Sequence, residues 1–155
     1  MKKILLLLAI ILLAVLQLAW PGFLYFFNCK PDLLLVFAAS LVFFMDFKTA
    51  FVFAVLAGLA KDLFLPGNFA LNMIFFGGWS YLIFRLSTQI STDNEYVRLF
   101  IVLAVVFLNS LLFGLIILNS GNSISPGIFF RNLVIPSAYS VLLSPLIFKL
   151  IKKLS

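Results

Sequence analysis

The chain has 155 residues, of which 65% are hydrophobic and 10% charged, against roughly 45–50% and about 25% in water-soluble domains. So little polar surface cannot wrap a compact body in water, and so apolar a chain is not disordered, which leaves lipid as the outer solvent. The net charge of +6 does not point to nucleic acid, because the 11 Lys and Arg are scattered between apolar runs; with no His and one Cys, Cys29, most metal sites, most general-base chemistry and any intrachain disulfide drop out. No cofactor and no metal are expected. At ~20 residues per crossing the length holds six or seven passes and no extramembrane domain.

Met1-Lys2-Lys3 and the run Ile4 to Trp20 have the form of a secretory signal, but no Ala-x-Ala precedes Pro21-Gly22 and no small residue stands before Cys29. A retained first span over about 4–24 is expected. Pro31-Asp32 then opens an apolar run from Leu33 to Met45; Asp46-Phe47-Lys48 interrupts it, and it resumes from Thr49. Thirteen residues rise only ~20 Å against a hydrocarbon core of ~30 Å, so one long helix with charges at its centre competes with a hairpin of two short ones. Asp or Lys at the midplane costs roughly 2.5–3.5 kcal/mol, whereas a turn places both at an interface, so the hairpin is favoured, with spans of about 32–46 and 48–65 that thin the bilayer or sit behind other helices.

A fourth span over about 69–85 is entered from Pro66-Gly67-Asn68 and closed by Arg85. The polar stretch Leu86 to Arg98 reads as a loop or short interfacial helix. The fifth span covers about 99–118, and the sixth about 127–151, with Ser125 as cap and Pro126 at its first position. With six spans and the N-terminus inside, the inner side holds Lys2, Lys3, Lys48, Arg85, Arg98, Lys149, Lys152 and Lys153, and the outer side Lys30, Lys61 and Arg131. This distribution obeys the positive-inside rule, while fusing the second and third spans breaks it. The expected fold class is therefore an all-α, polytopic six-transmembrane-helix bundle, one integral membrane domain over 1–155 with both termini cytoplasmic.

Small residues four apart (Ala54/Gly58, Ser110/Gly114, Ser140/Ser144) offer close helix contacts, and Gly77-Gly78 a packing notch. Pro136 and Pro145 lie inside the sixth span, free the carbonyls of Asn132 and Val141, and predict a bent helix. Asp32 suits a helix cap. Asp62, too short to snorkel, needs either a helix-end position or a specific contact within the bundle or with another protein. Arg131 suits an internal counter-ion or a phosphate anchor, and Asn72 and Asn109 suit interhelical hydrogen bonds.

Enzyme readings fail on residues. No paired-aspartate site is evident, because Asp46 and Asp62 fall on opposite sides, and Asp32 and Asp62 share a side but lie in no recognisable catalytic motif; the Asn-x-Ala-Asp type motif of lipoprotein signal peptidases is absent; a rhomboid-type serine hydrolase lacks its His.

Three stretches resemble the rod shape-determining MreD family: Pro31-Asp32-Leu33-Leu34-Leu35; Gly58-Leu59-Ala60-Lys61-Asp62-Leu63 with Pro66-Gly67 and Asn72; and Arg131 to Ser137 with Pro136, continuing through Leu143-Ser144-Pro145 to a basic tail. The resemblance implies a non-catalytic inner-membrane subunit of the cell-wall elongation machinery. It would bind an MreC-like protein and, through it, an MreB-like filament, a RodA-like glycosyltransferase and a class B penicillin-binding protein. Pro31, Asp32, Gly58, Asp62, Gly67, Asn72, Arg131, Pro136 and Pro145 are the candidate structural or partner-contact positions, with self-association left open. The architecture is also similar to the substrate-binding subunits of energy-coupling-factor vitamin transporters, which makes vitamin capture the alternative function. Ala9, Ala14 and Ala19, spaced by five, do not form the docking face those subunits use.

Overall fold

The computed structural model describes residues 1–25, 29–64, 70–121 and 123–154. Six α-helices are described: α1 Lys2–Leu18, α2 Leu33–Phe44, α3 Phe47–Phe64, α4 Leu71–Gln89, α5 Glu95–Asn119 and α6 Pro126–Leu154, with a single 3-10 turn at Gly22–Leu24. Two of them, α5 and α6, are long and apolar enough on their own to cross a membrane.

The chain breaks between α2 and α3 at Met45-Asp46. Asp46 Oδ2 accepts from the Thr49 backbone N–H at 3.2 Å and from the Thr49 hydroxyl at 3.0 Å, which starts α3. The backbone bond first, then the hydroxyl, hold the Asp46 carboxyl below the usual carboxylate range.

Helix α2, rising only ~18 Å, is buried along Leu33 to Val42. It packs against α1, α3, α4, α5 and α6, which explains how so short a helix is tolerated: its neighbours screen it. The other helices are apolar on both faces. On α1, Leu6, Ala9, Ile10, Leu13, Ala14 and Gln17 form the inward stripe, at the 3.6-residue period. The opposite face is apolar too, with Ile4 62% and Leu12 60% exposed, as is Leu142 of α6 at 74%. A water-facing helix would carry charge there.

Several limits differ from expectation. The first helix ends at Leu18 instead of continuing toward residue 24, because Pro21 has no N–H to donate and disfavours helical geometry at Trp20. The polar stretch Leu86 to Arg98 is mostly helix. The α4 helix continues to Gln89 with Ser87 and Thr88 donating to the carbonyls of Phe84 and Arg85, and α5 starts at Glu95 on the Asn94 cap. At the end of the chain α6 runs on to Leu154, past residue 151.

One end of the bundle gathers Lys2, Lys3 and Asp46 around one hollow. Arg98 lies over the Phe44 ring at 5.0 Å, Phe148 meets Phe43 and Phe44, and Phe84 stacks on Phe47 at 4.4 Å. These contacts bring Lys48, Arg85 and the basic tail to that end, while Lys30, Lys61 and Arg131 lie toward the other.

Candidate functional site

The second end holds a set of polar side chains whose common task is to finish helices. A helix leaves its first N–H groups and last carbonyls without partners, and where water is scarce side chains must supply them. Asp32 is the N-cap of α2: Oδ1 accepts from the Leu35 N–H at 3.3 Å, while the Asp32 N–H donates to Ser140 Oγ of α6 at 3.0 Å. Gln17 of α1 reaches the same helix start. Its Oε1 accepts from the Leu34 N–H at 3.2 Å and its Nε2 lies 3.5 Å from Asp32 Oδ1. Lys30 Nζ donates to the Gln17 carbonyl at 2.9 Å, closing the end of α1, where a cation also suits the helix dipole. Lys61 Nζ meets Asp32 Oδ2 at 2.5 Å and lies 5.5 Å from the Phe76 ring centroid. Asp32 and Lys61 are each about 85% buried and form the one ion pair among the described residues.

One turn along, Asp62 finishes α4. Its Oδ1 accepts from the Asn72 backbone N–H at 3.2 Å and from Asn72 Nδ2 at 2.8 Å, and its Oδ2 accepts from the Met73 N–H at 3.0 Å. The cap must come from another helix, because the N-cap residue of α4 is Ala70, left-handed at φ 64° and without a side-chain acceptor. Gly58, one turn before Asp62, makes the approach possible: a Cβ there would stand 2.6 Å from the Asn72 carbonyl oxygen and 2.7 Å from Met73 Cα. Gly58 and Asp62 thus act on the same two residues of α4, one by absence of bulk and one by charge.

The remaining candidates are placed as follows. Pro31 is fully buried beside Asp32. Asn109 accepts from Trp79 Nε1 at 3.0 Å, tying α5 to α4. Gly114 packs on Phe129 and Gly77 on Val55 and Phe51, whereas Gly78 faces open space. Pro136 and Pro145 are accommodated inside a continuous α6, next to Ser137 and Ser144, whose hydroxyls donate to the carbonyls of Leu133 and Ser140. Among the described residues Arg131 meets no carboxylate, and its Nε is buried without a partner. Gly67 and the Pro66 turn lie outside the described residues.

Gln17 and Ser140 were not foreseen as members of this cluster. Gln17 had a signal, as the only polar side chain between Ile4 and Leu18. In the sequence Ser140 stands out only as a small residue four from Ser144, whereas in the fold its oxygen accepts the N–H of Asp32.

A bundle that exposes apolar side chains over its flanks and closes its helix ends with buried polar groups is an all-helical membrane protein. The chain belongs to the MreD family: the family model described as rod shape-determining protein MreD matches residues 1–154. The family is one of membrane proteins that act structurally in rod-shape determination. No curated protein and no solved structure matches the chain.

Proposed function

We propose that the chain is a non-catalytic scaffold subunit of the rod-shape machinery, crossing the inner membrane six times with both termini cytoplasmic. It binds an MreC-like partner through its lateral faces and so supports lateral peptidoglycan synthesis. The observation that carries this reading is the family match over essentially the whole chain. The grouping of Lys2, Lys3, Lys48, Arg85, Arg98 and the basic tail at one end of the bundle supports the orientation through the positive-inside rule. The site supports the scaffold role, because the side chains of Asp32, Asp62, Asn72 and Gln17 are engaged in closing the protein's own helices.

Vitamin capture is not favoured. The family match over residues 1–154 is to a rod shape-determining family.

Depletion and complementation in a rod-shaped bacterium test the proposal. Cells lacking the protein are expected to round up, and the tagged chain to restore the rod and co-purify an MreC-like protein. Rods that persist on depletion, or a tagged chain that restores shape without that partner, overturn the corresponding half of the reading.

A further inference from the structure

The capping cluster leaves two cations under-used. Lys30 donates one hydrogen bond, to the Gln17 carbonyl, and Lys61 one, to Asp32. An ammonium carries three N–H groups, so each has donors to spare. Both side chains line the same small opening between α1 and α3, walled by Ala14, Leu18, Leu34 and Phe64. Within the cluster both Asp62 oxygens are held by Asn72 and Met73 and the Gln17 side chain is engaged by Asp32 and Leu34, while the one acceptor left without a partner, Asn72 Oδ1, is buried at the start of α4 and does not line the opening. The carboxylate paired with these ammonium groups is that of Asp32, while the Asp62 carboxylate is turned to the start of α4, so the spare N–H donors of Lys30 and Lys61 face the opening.

Depth makes those spare donors consequential. From Lys2 to Gln17 and from Phe47 to Lys61 the helices rise roughly 22 and 21 Å, less than the ~30 Å hydrocarbon thickness. Charges held short of the interface draw water and lipid headgroups inward. The opening, about 20 Å³, has room for one water-sized atom, and its apolar walls continue onto exposed Leu18 and Phe64. We propose that this opening binds the phosphate of an anionic glycerophospholipid: one phosphate oxygen enters between the Lys30 and Lys61 ammonium groups, and the acyl chains lie along Leu18 and Phe64. A free phosphate ion shares the anionic chemistry but not the apolar contact.

The full chain, purified in detergent and stripped of lipid, is titrated with phosphatidylglycerol, phosphatidylcholine and inorganic phosphate, with retention read by native mass spectrometry. One phosphatidylglycerol per chain is expected, held more tightly than phosphatidylcholine. Lys30→Gln and Lys61→Gln should each weaken it about fivefold, the effect of one lysine at a charged membrane surface, and Lys2→Gln at the far end should leave it unchanged. Lys30→Gln keeps a donor for the Gln17 carbonyl and leaves the Asp32–Lys61 pair intact, so it separates lost binding from lost folding; an unchanged unfolding temperature verifies this. Equal retention by the unaltered chain and Lys30→Gln, no retention by the unaltered chain, or retention of inorganic phosphate without phosphatidylglycerol each overturns the proposal.

Discussion

Asp62 illustrates how a single carboxylate is used where water is scarce. Both oxygens meet donors on the first turn of α4, so Asp62→Leu strands two backbone N–H groups and the Asn72 amide. Leaving buried donors unsatisfied costs about 1–3 kcal/mol. A lowered unfolding temperature in detergent is expected, with Asp62→Asn less severe because one acceptor oxygen remains. One of the roles the sequence leaves open for Asp62 is a contact with another protein, in which case Asp62→Leu would weaken assembly with a partner. The internal cap makes a damaged α3–α4 hairpin the nearer consequence, and unfolding measured alongside co-purification distinguishes the two. Asp46 gives the pH-dependent counterpart. Its folded pKa is depressed, so its capping contribution is present above the ordinary carboxylate range and is lost as pH falls through the depressed value. Titration of the labelled carboxyl by NMR should find it below that range, and Thr49→Val should move it upward.

Among the elements, the α3–α4 pair is the most closely joined, and its glycines are not equivalent. Gly58→Ala drives a methyl into the backbone of Asn72 and Met73, and backbone cannot rotate away as a side chain can. The cost is expected at about 1–3 kcal/mol, together with loss of the Asp62 cap as α4 is pushed outward. Gly78→Ala meets nothing within 4 Å and replaces a poor helix former by the best one, so it should be neutral or stabilising by up to about 1 kcal/mol. Thermal unfolding of the two variants side by side checks the contrast; equal losses would mean that the helices do not cross at Gly58. The α5 tether is weaker. Asn109→Leu removes the bond to Trp79, worth about 0.6 kcal/mol on the membrane-protein average, and a small shift in unfolding temperature is expected.

For the whole molecule, the distribution of basic residues between the two ends predicts topology. A reporter fused after Ser155 should be active only in the cytoplasm, and a label attached to a cysteine placed at exposed Ser123 should react only from the outside. A periplasmic C-terminus would overturn both the six-span count and the end assignment.

Sequence alone determined that the chain is apolar on every side, that it breaks at Asp46, that Asp32 caps a helix, and that the residues resemble one family. Each of these follows from composition, periodicity or local chemistry, which act over a few neighbouring positions. Which polar groups meet was decided only by the tertiary structure. Gln17, Lys30, Asp32, Lys61 and Ser140 come from separate helices and connections, and Asp62 caps a helix that begins nine residues later at Leu71. Their partnership depends on where α1, α2, α3 and α4 end relative to one another, a matter of helix length and packing depth that no local pattern encodes.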